Sequence, residues 1–157
     1  MIVVGLGSPF LSDDSVGPRV VRELARAGME SGVRFVETHA GGLLLVEELA
    51  GADRAVIVDA LLDPRRRPGE VVVAGIRGAS QNVASSHDCT LPEVLSLGRA
   101  IGIHLPEDDA IRLVAIVASD VTTFSETLTP EVEAALPEAC AAVRACLELT
   151  LDGRRDA

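Results

Sequence analysis

Two short runs, Ile2-Val3-Val4-Gly5-Leu6 and Ala55-Val56-Ile57-Val58, are apolar at every position. A strand with one wet face alternates apolar and polar side chains. A strand apolar on both faces has to be covered on both, which is the environment of a parallel sheet between helices. The stretches between the runs suit that arrangement. Val16, Val20, Leu24 and Gly28 recur on one helical face, with Ser12 or Asp13 placed to cap the helix and Arg19, Arg22, Glu23 and Arg26 mostly off the apolar stripe. Val33-Arg34-Phe35-Val36-Glu37 reads as a second strand and Leu43–Leu49 as a short helix before the third strand, which ends on Asp59. This β-α-β-α-β order predicts parallel strands with helices on both faces.

The alternation then breaks. Residues 63–69, Asp-Pro-Arg-Arg-Arg-Pro-Gly, are too few and too proline-rich for a crossover helix. Residues 70–76 are therefore expected to pair antiparallel as an edge strand, ending at the opposite rim from Gly7 and Asp59. Residues 77–89 must bring the chain back, and thirteen extended residues reach roughly 43 Å, which is ample. Thr90-Leu91-Pro92-Glu93 has the capping-box pattern of a helix start. Residues 111–118 form a last parallel strand, and Thr129-Pro130 opens a C-terminal helix with proline at its first position. Val132, Leu136, Ala139, Cys140, Val143 and Leu147 make its apolar stripe, and Pro137 within it predicts a kink or a break. The expected fold is α/β, three-layer α-β-α, phosphorylase/hydrolase-like, with a twisted, mostly parallel five-stranded sheet and one antiparallel edge strand. It forms a single domain over residues 1–157, with the last few residues disordered.

Composition narrows the function. With 48% hydrophobic residues but only three Phe and no Trp or Tyr, the core is aliphatic. A formal net charge of −10 repels phosphate backbones and anionic lipid, so neither nucleic acid nor a membrane surface is an expected partner. Three cysteines, Cys89, Cys140 and Cys146, make no disulfide framework. The first residues lack the basic segment of a signal peptide, and no run is long enough to span a bilayer. These features lead to the expectation of a cytoplasmic protein.

Four loops gather at the carboxyl rim of the parallel strands: after Gly7, after Asp59, before Thr90 and after Ala118. Ligands of open α/β sheets bind at that rim. Gly5-x-Gly7 lacks the third glycine of a dinucleotide motif, since Phe10 stands there, and Asp13 and Asp14 would oppose a pyrophosphate. The glycines instead suit a tight turn. Of the two aspartates, one can cap a helix while the other faces the cleft. Asp59, ending an apolar strand, either emerges into the cleft or accepts N–H groups from its own turn. His87 sits in a polar stretch, Ser85-Ser86-His87-Asp88-Cys89; His39 and His104 are loop histidines too, and what favours His87 is that its loop reaches the same rim as Asp14 and Asp59. Two carboxylates and an imidazole from three loops suit an open divalent-metal site for zinc, nickel or iron. There is no H-E-x-x-H and no serine elbow. A Cys89–His87 nucleophile ranks below the metal site. Cys140 and Cys146 suit core positions, and Arg65-Arg66-Arg67 suits a solvated turn.

Read in order, these segments resemble the hydrogenase maturation proteases, endopeptidases that trim the C-terminus of the large subunit of [NiFe] hydrogenases. The resemblance is carried by Val4-Gly5-Leu6-Gly7-Ser8-Pro9-Phe10-Leu11-Ser12-Asp13-Asp14-Ser15-Val16-Gly17, by Ile57-Val58-Asp59-Ala60, by Ser86-His87 ahead of Leu91-Pro92-Glu93-Val94-Leu95, and by Leu128-Thr129-Pro130-Glu131-Val132. It implies a twisted sheet with helices on both faces and one antiparallel strand. Matched motif by motif, it implies that Asp14, Asp59 and His87 are the catalytic, metal-contacting residues. The first acid is often Glu in the family, one methylene longer than Asp14. The family's Asp-Gly-Gly-Thr-like turn is here Glu37-Thr38-His39-Ala40-Gly41-Gly42, which leaves Glu37 and His39 as further contacts to place.

The resemblance further implies an endopeptidase acting on the [NiFe] hydrogenase large-subunit precursor after nickel insertion. The nickel is supplied by the substrate and not held tightly by the isolated protein, which is expected to be a monomer. The competing reading is a non-catalytic metal-checking or assembly module that binds the same precursor without cutting it.

Overall fold

The computed structural model describes residues 1–28, 32–39, 43–76 and 90–152. Strands β1 (Ile2–Leu6), β2 (Arg34–Thr38), β3 (Ala55–Leu61), β4 (Val71–Gly75) and β5 (Ile111–Val117) form one sheet in the order β2-β1-β3-β5-β4. β1 pairs in parallel with β2 and β3, and β3 in parallel with β5. β4 runs antiparallel along β5 at the edge, because the turn before it is too short for a crossover. Helices α1 (Val16–Arg26), α2 (Leu43–Leu49), α3 (Leu91–Ala100) and α4 (Pro130–Asp152) complete the described elements. The three-layer, mostly parallel fold expected from the sequence is the one observed.

The pleat explains why the strands are apolar throughout. Ile2, Val4 and Leu6 point into one cluster with Leu45 and Leu49 of α2 and Leu95 of α3. Val3, Val56 and Val58 point the other way, into a second cluster with Val16, Val20 and Leu24 of α1 and Val132, Ala139 and Val143 of α4. Each such side chain removed from water contributes about 1.5–3 kcal/mol. Phe35 reaches the second cluster only from its edge, so the core is aliphatic, as composition requires. The two clusters also place α1 and α2 on opposite faces. The chain therefore winds outward from β1 to β2 on one face and returns to β3 across the other. The gap between the carboxyl ends of β1 and β3 is the switch point of the sheet.

Two local expectations are corrected, and a third, the kink or break at Pro137, loses its second alternative. The helix after β1 does not begin with a side-chain cap. A 3₁₀ turn, Ser12–Ser15, leads into α1, and neither start carries a side-chain cap hydrogen bond. β3 does not stop at Asp59, because Ala60 and Leu61 go on pairing with Ile116 and Val117 of β5 after β1 has ended. Pro137 does not break α4, which runs through it. Proline removes one N–H from the helix ladder, but Pro137 and Glu133 are both on the exposed side, so the Glu133 carbonyl left without that donor is not buried in the core. The expected start of α3 is observed: the Glu93 carboxylate accepts from both the N–H and the hydroxyl of Thr90 at 2.8 Å. That keeps its carboxyl below the usual glutamate range. Among the described residues no helix is long and apolar enough to cross a membrane. The return segment 77–89 and the expected disordered end, 153–157, lie outside the described residues.

Candidate active site at the carboxyl rim

Three glycines bring the start of the first helix onto the ends of β1 and β3. A Cβ on Gly17 would stand 2.3 Å from the Leu6 carbonyl oxygen and 2.5 Å from that of Val58. A Cβ on Gly5 would lie 2.4 Å from the Gly17 carbonyl oxygen. Gly7 has φ +132°, and a Cβ there would be 1.7 Å from the Asp14 carbonyl oxygen. Backbone therefore packs on backbone where side chains would hold helix and strand apart. One consequence is that the 3₁₀ turn bearing Asp13 and Asp14 sits at the switch point beside the residue preceding Asp59.

The two adjacent aspartates have different surroundings. Asp13 is fully buried. Its Oδ1 accepts the Thr129 N–H at 2.7 Å. Its Oδ2 accepts the N–H groups of Ser119 and Asp120 at 2.9 and 3.0 Å and the Thr129 hydroxyl at 2.9 Å. Its own N–H donates to the Asp120 carbonyl at 2.9 Å. Thr129 is the residue before α4, so Asp13 does cap a helix, but the last one in the chain. Asp14 is half-buried. Its Oδ2 accepts the Ser8 N–H at 2.6 Å, and its Oδ1 takes no hydrogen bond among the described residues. Of the pair, Asp13 is committed to the fold and Asp14 is the one left to face the rim.

Asp59 is half-buried on β3, one residue past the last β1–β3 partner pair, Gly5 and Val58. Its Oδ1 accepts the N–H of Ala60 at 2.8 Å. Ala60 is itself a strand residue, so this contact lies within β3 and is not the turn contact considered from the sequence; Asp59 stands at the switch point. His87 and Cys89 lie outside the described residues. His104 is excluded from the rim: it pairs with Asp53 at 3.1 Å, and Asp53 precedes β3, at the sheet's other end. His39 is exposed directly after β2, whose Thr38 carbonyl accepts the Gly7 N–H at 3.0 Å, so it does stand at the rim. Glu37 is occupied by a bidentate pair with Arg22, at 2.5 and 3.1 Å.

The opposite wall of the rim is the loop from β5 to α4. Asp120 accepts from the N–H groups of Thr122 and Thr123 and the Thr122 hydroxyl, which holds its carboxyl down at about 2. Phe124 of this loop stacks on Phe10. Neither this pair nor the Asp13 anchor was legible in the sequence, since the partners are more than 100 residues apart. Cys140 and Cys146 are buried, as expected. Burial and the nearby Glu23 carboxylate push the Cys140 thiol up to about 11. Arg65 and Arg66 are exposed and paired with Asp63 and Glu70, the solvated turn expected.

An α/β sheet with two carboxylates at its switch point has the layout of an enzyme whose ligand meets oxygen donors at the strand ends. Its class is fixed further by similarity. The model of the family described as "Hydrogenase maturation protease" matches residues 18–145, a span that includes Asp59 and His87 and begins just after Asp14. The chain belongs to that family of peptidases. It is 28% identical over 151 residues to the Hydrogenase 2 maturation protease of Escherichia coli, covering 94% of this chain and 90% of the relative. Its fold superposes on the hydrogenase maturating endopeptidase HybD from Escherichia coli with a TM-score of 0.78 at 26% identity, covering 95% of this chain and 92% of the other. The [NiFe] hydrogenase maturation protease HybD from Thermococcus kodakarensis gives a TM-score of 0.70 at 26% identity, covering 92% and 96%.

Proposed function

We propose that this peptidase removes the C-terminal extension of a [NiFe] hydrogenase large-subunit precursor once nickel has been inserted, and that it reads the metal through Asp14, Asp59 and His87. The observation that carries the reading is the division of labour between adjacent aspartates in a chain of this family: Asp13 is consumed by the fold, whereas Asp14, at the switch point, keeps a carboxylate oxygen that takes no hydrogen bond among the described residues. Two carboxylates and one imidazole suit nickel's preference for nitrogen and oxygen donors. Three ligands leave positions for the substrate's own, so the ion belongs to the precursor and the isolated protein holds it weakly. Cleavage is then conditional on metal insertion, because an empty precursor offers the three ligands nothing to close on. In the chemical step, a carboxylate of this rim takes a proton from the attacking water and returns it to the leaving amine as the C–N bond breaks; the substrate's nickel, when bound, would supply Lewis-acid polarisation of the scissile carbonyl.

The test is incubation of the purified protein with nickel-loaded and nickel-free precursor, read by the mass of the large subunit. The loaded form alone should lose its extension, and Asp14→Asn, Asp59→Asn and His87→Ala should each abolish the loss. Cleavage of both forms at equal rates would refute metal reading. Tight binding of the loaded precursor with no mass change would favour the non-catalytic module.

A further inference from the structure

Residues 7–15 carry three serines, Ser8, Ser12 and Ser15, and two of them spend their hydroxyl protons inside the fold. Ser15 donates to the Ser12 carbonyl at 2.7 Å, and Ser12 donates to the Thr127 carbonyl at 3.3 Å. Ser8 differs. Its Oγ accepts the exposed Phe10 N–H at 3.4 Å, and its O–H donates to no group among the described residues. The proton of a half-buried hydroxyl at the rim is thus left for a ligand.

The residue that carries this proton is fixed against Asp14. The Ser8 N–H donates to Asp14 Oδ2 at 2.6 Å. The Ser8 carbonyl accepts the Leu11 N–H at 3.4 Å, and Gly7 before it donates to the Thr38 carbonyl at 3.0 Å. Pro9 after it keeps Ser8 out of the helical region. Covalent geometry holds a serine Oγ within about 4 Å of its own nitrogen, which puts the Ser8 hydroxyl within roughly 6.5 Å of Asp14 Oδ2. The other Asp14 oxygen takes no hydrogen bond among the described residues, so a free donor and a free acceptor stand side by side at the switch point.

We infer that Ser8 is a catalytic residue of this peptidase: its hydroxyl donates a hydrogen bond to the scissile carbonyl oxygen and stabilises the negative charge that gathers there as water adds. The inference rests on the reading above, in which Asp14 meets the substrate's ion and the scissile carbonyl faces that ion. The Ser8 O–H bond stays intact throughout. The water's proton passes by way of the rim carboxylate to the leaving amine, and the oxyanion returns to a carbonyl as the C–N bond breaks. A neutral donor suits this position. An arginine or lysine here would pair with the Asp14 carboxylate and compete with the ion, whereas a hydroxyl leaves that charge available. Because backbone hydrogen bonds fix Ser8 beforehand, the donor needs no rearrangement when the charge develops.

Alanine supplies the same backbone N–H to Asp14, so Ser8→Ala removes the hydroxyl alone. The probe is the nickel-loaded large-subunit precursor, with binding and cleavage measured separately. Ser8→Ala should lower kcat roughly a hundredfold, leave Kd within about twofold, and leave the melting temperature unchanged. Ser8→Thr keeps a hydroxyl and should recover most of the rate. Wild-type protein that binds the loaded precursor without cutting it would sink the peptidase reading and this inference with it. If the wild type cuts, an equal kcat in Ser8→Ala would overturn the inference alone. So would a loss explained by a raised Kd, which assigns Ser8 to binding, or a loss that Ser8→Thr does not recover, which assigns it to the shape of the turn. A covalent substrate adduct on Ser8, found by mass after acid quenching of the wild type, would make it a nucleophile and overturn the donor role.

Discussion

Among the described residues four donors converge on the Asp13 carboxylate, and at Asp14, one position along, a single backbone N–H does. The energetic consequences differ accordingly. Removing a buried acceptor strands its donors, and hydrogen bonds to charged groups carry about 1.5–3 kcal/mol each with incomplete additivity. Asp13→Ala should therefore cost about 3–5 kcal/mol of unfolding free energy. Asp14→Asn keeps an oxygen for the Ser8 N–H and should cost less than about 1 kcal/mol. Urea denaturation of the two variants measures both, and a larger loss in Asp14→Asn would exchange the roles. The sequence shows that two neighbouring acids exceed what one cap requires, which suffices to divide them into one structural and one site residue. It does not show which is which, because the partners that decide it lie 106 to 116 residues along the chain.

Between β1 and α1 the same limit operates on whole elements. Apolar runs, helical stripes and the short proline-rich turn carry enough information to make four strands parallel and to place β4 antiparallel at the edge. They do not reveal that α1 touches β3. Gly17 is there because the Leu6 and Val58 carbonyl oxygens leave no room for a Cβ, a fact about two strands meeting one helix. The end of β3 was misplaced for a related reason. A carboxylate normally ends a buried strand, but β5 continues past β1 and keeps Ala60 and Leu61 paired. Gly17→Ala should push the first turn of α1 off the sheet. Both opposing atoms are backbone, so no side chain can yield, and the cost should be about 3 kcal/mol, at the upper end for overpacking. Processing should fall with it, since the same displacement moves Asp14 from the switch point. A Gly17→Ala protein with wild-type stability, measured by urea denaturation, would mean that the close approach is not what fixes the rim.

The described residues form two apolar clusters, one on each face of the sheet. Whether they unfold together is set by the sheet they share and by α4, which is long, packs on one face only, and is fastened at its start by Asp13. Cys140 and Cys146 lie along that helix and report on it. The Cys140 thiol, raised to about 11 by burial and the Glu23 carboxylate, and the Cys146 thiol, raised by burial, supply almost no thiolate at pH 8, and thiolate is the reactive form. In Cys89→Ser, which should retain processing because no thiolate nucleophile is proposed, these two are the remaining thiols. A thiol reagent at pH 8 should leave both unmodified in the native protein. As urea is added, both should be modified together, with the same denaturant dependence as loss of the circular dichroism signal, because exposure then requires global unfolding. Early modification of Cys146 alone would show that the end of α4 opens independently. Early modification of both would separate the α1–α4 face from the α2–α3 face and leave two units in place of one cooperative domain.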